Sequence, residues 1–214
     1  MTADAEITAI YGRRGSGKTT RVRALLRNRR RVIVFDPIGE YPAYGFRAVT
    51  WAGLARVLSE VRAGPFQVSY TPKSRAEPEA LHYLSRALVE YQRVMAASAG
   101  QVTLVVEEMA LSFPVERLPL DLHGFKSVCE RGRHWGVNII GTTQRPATVS
   151  TVFRGNAAET YIFALDWETD VAAVCAMIGR EHRDALRGME PHRYLYYREG
   201  RLTHGRNRRP RKER

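Results

Sequence analysis

Short apolar runs alternate with helical patterns along almost the whole chain, which predicts an α/β fold: a mostly parallel central sheet flanked by helices. Three observations carry this prediction. The runs Val102–Val106 and Val137–Thr142 are almost continuously apolar, as strands buried on both faces are. Arg31–Phe35 is β-branched and closed by Asp36-Pro37, a strand followed by a stop. Between Glu77 and Ser98, the residues Leu81, Leu84, Leu88, Tyr91 and Met95 recur at three- and four-residue steps, so they share one helix face and pack a core.

Taken in order, Ile7–Tyr11 reads as the first strand, followed by a Gly-rich turn and a helix from Lys18 to about Arg27. After Arg31–Phe35 come a strand at Phe46–Trp51, a helix from Leu54 to Arg62 stopped by Gly64-Pro65, and a strand at Phe66–Tyr70. Gly100 ends the long helix. Ala110–Asp121, with Pro114 and Pro119, is irregular, and Leu122–His134 is helical. Thr160–Leu165 is a further strand. Helices at Glu168–Ile178 and about Glu181–Arg187 are separated by Gly179, and Tyr194–Tyr197 with Leu202–His204 makes a small hairpin around Glu199-Gly200. Strand order is written in no local pattern.

The 214 residues suit one domain, taken as residues 1–204, with a basic tail over 205–214. Net charge is +12, and from Arg201 onward seven Lys or Arg face one acid, so this end carries half of the excess. Such a tail attracts nucleic acid, anionic lipid or an acidic protein surface. The two cysteines, Cys129 and Cys175, have no zinc-site or disulfide-framework spacing, which points to a reducing compartment. The N-terminus is polar and acidic (Asp4, Glu6), unlike a signal peptide, and no apolar run approaches the ~20 residues that span a bilayer. A cytoplasmic location is the expectation.

Gly12-Arg13-Arg14-Gly15-Ser16-Gly17-Lys18-Thr19 satisfies G-x-x-x-x-G-K-[ST], between a predicted strand and a predicted helix. Glycines let the backbone turn so that successive N–H groups point at phosphate oxygens, with the helix N-terminus adding positive potential. Lys18 suits the β- and γ-phosphates of ATP, and the Thr19 hydroxyl suits Mg²⁺. Gly12, Gly15, Ser16, Gly17, Lys18, Thr19 and the following Thr20 are the candidate nucleotide contacts.

Val102–Val106 ends in Glu107-Glu108. A carboxylate at such a strand end can hold Mg²⁺, and the next can polarise an attacking water. Glu107 is assigned to the metal with Thr19, and Glu108 to the water; both could instead be an ordinary solvated strand end. Gln144, after the Val137–Thr143 run, could sense the γ-phosphate or be a plain strand-terminal amide.

Several stretches together resemble the HerA–FtsK superfamily of ring-forming DNA translocases, from Ile7 to about Thr203. Val34-Phe35-Asp36-Pro37-Ile38-Gly39-Glu40-Tyr41 looks like the second-strand signature of HerA-type ATPases. Arg133-His134-Trp135-Gly136-Val137-Asn138-Ile139-Ile140-Gly141-Thr142-Thr143-Gln144-Arg145-Pro146 is similar to the family's basic helix end, sensor strand and closing Gln-Arg-Pro. The resemblance implies a RecA-like core, a ring (a hexamer by analogy) and a pore for double-stranded DNA. It implies Gln144 as sensor and Arg133 as an arginine finger acting on a neighbour's ATP, with Arg131 and Arg145 as competitors. Glu107 stands where the family usually has Asp.

Few residues precede the first strand, and no winged-helix or membrane pattern follows the core. A bare core of this size is similar to the genome-packaging ATPases of membrane-containing icosahedral double-stranded DNA viruses. The expectation is a packaging motor whose tail holds DNA, docks on a capsid vertex or membrane protein, or is a flexible end without a specific role, with Lys73, Arg75, Arg117 and Lys126 as candidate pore contacts or ordinary surface charge. The alternatives are a cellular HerA-like DNA-processing ATPase, a small-molecule P-loop kinase, or a nucleotide-dependent switch or assembly protein that moves no DNA.

Overall fold

A computed structural model describes residues 5–39, 41, 46–48, 50–61, 63–73 and 76–208. Nine strands form one sheet: β1 (Ile7–Tyr11), β2 (Arg31–Phe35), β3 (Phe46–Ala48), β4 (Phe66–Tyr70), β5 (Val102–Val106), β6 (Val137–Thr143), β7 (Glu159–Ile162), β8 (Arg193–Arg198) and β9 (Arg201–Arg206). Their order is β3-β4-β2-β5-β6-β1-β7-β8-β9. Every pairing from β3 across to β7 is parallel, and β8 and β9 close the far edge as an antiparallel hairpin. The helices are α1 (Lys18–Leu26), α2 (Trp51–Val61), α3 (Glu77–Ala99), α4 (Met109–Ser112), α5 (Gly124–Arg131), α6 (Thr151–Asn156), α7 (Glu168–Ile178) and α8 (Arg183–Gly188).

Strand alternation divides the core into two layers. Ile7, Ala9 and Tyr11 of β1 and Val102, Leu104 and Val106 of β5 join Leu81, Leu84 and Leu88 of α3 on one face of the sheet. Ile10, Val34 and Val105 point to the other, where Val22 and Leu26 of α1 and the ring of Tyr41 cover them. All residues of β1, β2, β5 and β6 are buried, which is why their sequences read as continuous apolar runs.

The structure departs from the sequence reading at caps and short elements. The strand predicted at Phe46–Trp51 gives way to α2 at Trp51 because Thr50 caps the helix, its Oγ1 accepting the Gly53 N–H at 3.1 Å. In the same way Ser150 starts α6, a helix absent from the prediction, by accepting the Val152 N–H. The stretch read as irregular contains α4 and a 3₁₀ turn at Leu120–Leu122, and the helix predicted at Leu122–His134 runs from Gly124 to Arg131 before tightening into a 3₁₀ turn. The strand predicted at Thr160–Leu165 ends at Ile162, because Phe163–Leu165 turn away to brace the neighbouring loop: the Ala164 carbonyl accepts the Arg13 N–H at 2.7 Å. At the C-terminus β9 continues through Arg206, and Asn207 is buried; residues 209–214 of the basic tail lie outside the described residues. No helix among the described residues is long and apolar enough to cross a membrane.

Candidate nucleotide and metal site

Parallel pairing puts the C-terminal ends of β1, β5 and β6 on one edge of the sheet, with β6 between the other two. The glycine-rich loop, the two acids and Gln144 are therefore neighbours in space although up to 132 residues separate Gly12 from Gln144 in sequence.

The loop is held from both sides. The Gly12 N–H donates to the Thr143 carbonyl at 3.1 Å and the Arg13 N–H to the Ala164 carbonyl. A Cβ on Gly12 would stand 2.6 Å from Phe163 Cβ and 2.7 Å from Ser16 Oγ, so only glycine fits there. Gly17, with φ of +112°, enters α1 from the left-handed region. Lys18 Nζ donates to the Gly12 carbonyl at 2.7 Å and, at 3.3 Å, to that of Arg13. Ser16 Oγ is buried without a hydrogen-bond partner. A buried orphan hydroxyl and a nearly buried ammonium facing a loop of N–H donors fit a phosphate chain.

Residues that sequence reasoning missed brace this loop from the C-terminal hairpin. The His192 N–H donates to the Ser16 carbonyl at 2.8 Å, the Asn207 N–H to the His192 carbonyl at 2.8 Å, and Asn207 Nδ2 to the Gly17 carbonyl at 2.9 Å. A Cβ on Gly17 would meet His192 Nδ1 at 2.8 Å. No local signal announces these contacts, since 190 residues separate Asn207 from Gly17.

Glu107 is 2% exposed. Its Oε2 accepts from Thr142 Oγ1 at 2.6 Å and from the Tyr41 hydroxyl at 3.2 Å, and Tyr41 also hydrogen-bonds the Thr19 side chain. Tyr41 thus ties together the two residues proposed to hold Mg²⁺. It is placed by Asp36, whose carboxylate accepts the Gly39 and Tyr41 N–H groups, each at 2.8 Å. Among the described residues no three His, Cys, Asp or Glu converge. A Mg²⁺ ion here would take Thr19 and Glu107 and complete its shell with phosphate oxygens and water, the habit of that ion.

Glu108 has φ of +44°, a left-handed conformation that is strained for a non-glycine residue. That turn swings its carboxylate away from Glu107 and onto Gln144, whose Nε2 donates to Oε1 at 2.7 Å and whose N–H donates to Oε2 at 3.2 Å. The candidate base and the candidate sensor are therefore one hydrogen-bonded unit. Thr142 links the two acids: its hydroxyl donates to Glu107 and accepts the Glu108 N–H at 3.4 Å.

The three candidate arginines are placed differently. Arg145 Nε donates to the buried Asp170 at 2.7 Å and its guanidinium lies 4.9 Å from the centre of the Trp167 ring, so it is tied to α7 of its own chain. Arg131 and Arg133 are exposed, next to the N-terminal end of β6. The length of β6, roughly 20 Å, separates them from Gln144. Of the candidate pore contacts, Lys73 and Arg117 are exposed, Lys126 pairs with Glu130 at 3.9 Å, and Arg75 lies outside the described residues.

Burial pushes the Glu107 carboxyl up to about 7, with the Thr142 hydroxyl opposing, the Glu108 charge adding to it, and Lys18 and Tyr41 opposing again. Its ordinary value is 4.5, so this group leaves stability intact below 4.5 and reduces it as pH rises from there to about 7. Glu107→Gln keeps the shape and never ionises. It is expected to raise the unfolding free energy of the nucleotide-free chain by on the order of 2–3 kcal/mol at pH 8 and to leave it nearly unchanged at pH 4. Urea melts at the two pH values check this; equal shifts at both would mean that ionisation of Glu107 is not the cause.

No protein-family model matches the sequence, and no curated protein sequence does. Solved structures match the fold over nearly the full chain. The genome-packaging NTPase B204 from Sulfolobus turreted icosahedral virus 2, in complex with AMPPCP, superposes with a TM-score of 0.74 at 16% identity, covering 96% of this chain and 99% of that one. The DNA-packaging ATPase B204 from Sulfolobus turreted icosahedral virus gives 0.73 at 17% identity, with 95% and 98% covered. VirB4 of Thermoanaerobacter pseudethanolicus gives 0.62 at 13% identity, with 95% and 90% covered. The chain has the α/β fold of these proteins.

Proposed function

We propose that this chain is an ATPase that drives double-stranded DNA through a ring of its own copies, as the motor of viral genome packaging. The observation that carries the reading is the Glu108–Gln144 pair beside a phosphate loop, on the strand whose other end presents Arg133.

In this reading the loop from Gly12 to Thr20 binds the phosphates of ATP, with Lys18 released from the Gly12 carbonyl to the β- and γ-phosphates. Thr19 and Glu107 would hold Mg²⁺, which would supply charge neutralisation at the phosphate oxygens. Glu107 would meet the ion as a carboxylate; Tyr41 and Thr142 keep that group in place through Oε2. Glu108 accepts a proton from the attacking water, whose oxygen bonds to the γ-phosphorus as the bond to the bridging oxygen breaks, and phosphate and ADP leave. Gln144 keeps Glu108 off Glu107 and detects loss of the γ-phosphate. Because Gln144 and Arg133 flank one rigid buried strand, a shift at the sensor moves the finger presented to the next subunit. The role of B204 in genome packaging, together with the shared fold and the net charge of +12, favours DNA as the track.

The test is steady-state ATPase activity with and without long duplex DNA at low and high salt. Several-fold stimulation that fades with salt is the expected result. Absence of stimulation in material shown to be assembled would remove DNA from the reading and leave a nucleotide-dependent switch.

A further inference from the structure

On the sheet edge opposite the phosphate loop, a polar pocket of about 440 Å³ is lined by Asn28, Arg29, Arg30, Arg31, Ser98 and Gln101, together with Ala63 and Pro65. No carboxylate among the described residues lines it. Arg29 and Arg30 are exposed at its rim, whereas Arg31, the first residue of β2, is 3% exposed.

The Arg31 guanidinium is incompletely satisfied. Its Nη1 donates to the Gly100 carbonyl at 2.9 Å, and its Cζ lies 5.2 and 5.5 Å from the centres of the Tyr91 and Phe66 rings. The ring faces attract the cation but offer it no lone-pair acceptor. Nε and Nη2 are buried without a hydrogen-bond partner, and no described carboxylate pairs with the group. Those two nitrogens form one edge of the guanidinium, the fork that grips two oxygens of a single oxyanion. A buried cation with that edge unmatched is unfavourable unless an anion completes it.

We propose that this pocket is a second phosphate-binding site, in which Arg31 holds two oxygens of one phosphate group while Arg29 and Arg30 draw it in and close over it. The group is either free inorganic phosphate or a backbone phosphate of a nucleic acid. The site does not depend on the ATPase reading: β2 separates it from the hydrolytic edge by about 17 Å. Helix α1 also runs between the two, its N-terminus on the phosphate loop and its last turn beside Asn28.

The test uses the full chain carrying Lys18→Ala, which removes the lysine of the phosphate loop. Inorganic phosphate, and separately a short DNA duplex, are titrated by calorimetry at low ionic strength. Against this background come Arg29→Ala with Arg30→Ala, both surface changes, and Arg31→Met, which keeps the stacked stem and removes the fork. Arg201→Ala with Arg206→Ala, exposed on the hairpin, controls for lost charge. Phosphate binding is expected to weaken at least about tenfold in both pocket variants and little in the control, since a lost charged hydrogen bond reads at that scale. Competition by the duplex assigns the site to a nucleic-acid backbone, and phosphate binding without competition assigns it to the free ion. Binding that persists in the Arg29/Arg30 variant, or that falls equally in the control, overturns the proposal even if Arg31→Met fails to fold.

Discussion

The Glu108→Gln chain is expected to bind Mg·ATP as the parent does and to hydrolyse it about 10²–10⁴-fold more slowly. The amide keeps the size of the side chain and one of its two acceptor atoms, so Gln144 retains a partner, but it accepts no proton from water. The effect should sit in turnover and not in affinity, because the Glu108 carboxylate is directed at Gln144. Calorimetric binding beside a phosphate-release assay separates the two. Backbone strain at Glu108 points the same way. A left-handed glutamate costs about 1–3 kcal/mol and persists only where its surroundings hold it. Here it keeps adjacent carboxylates apart, sending one to Thr142 and Tyr41 and the other to Gln144. Normal turnover in Glu108→Gln would make that strain purely architectural and leave the chain without a base in the position assigned to it.

What the sequence discloses follows the range of the interaction that fixes it. The glycine-rich loop is legible as a candidate phosphate site because glycine spacing, Lys18 and Thr19 act within eight residues and one strand-turn-helix unit. Glu107 and Glu108 are legible as a pair, since a buried run ends at them. The divergence of their carboxylates is not, because it depends on the backbone turn at Glu108 and on Thr142 and Tyr41, which arrive from elsewhere in the chain. Tyr41 lies inside a motif that resemblance flags, yet only the packed structure shows its hydroxyl between Thr19 and Glu107. His192 and Asn207 are invisible for the same reason. Thr50 and Ser150 are local signals of another kind: a serine or threonine before an apolar run is a start signal even in a short element, and each caps a helix here. The order of the strands belongs to no local pattern, and it is the order that sets β6 between β1 and β5 and so assembles the site.

Arg133→Ala is expected to reduce turnover in the assembled ring by about 10³–10⁵-fold, the range of an arginine finger supplied by a neighbour. An Arg133 that acts on ATP must act on a neighbour's. Arg133 stands beyond the N-terminal end of β6, and seven strand residues separate it from the edge that carries its own phosphate loop. No rotamer of a side chain about 7 Å long crosses roughly 20 Å of sheet. A head-to-tail interface would set this edge of one subunit against the nucleotide edge of the next. Mixing then gives a decisive experiment. In a ring of Arg133→Ala and Glu108→Gln chains, an interface works when the first kind supplies the acid and the second supplies the arginine. Random equal mixing leaves about a quarter of interfaces in that arrangement, although each variant alone is inactive. Recovered activity that peaks near equal mixing is the expected outcome. Silence in rings shown to be mixed would transfer the role to Arg131, the other exposed candidate beside the start of β6. Arg145 is the weakest candidate for a partner's ATP, because it is held by Asp170 and stacked on Trp167 within its own chain.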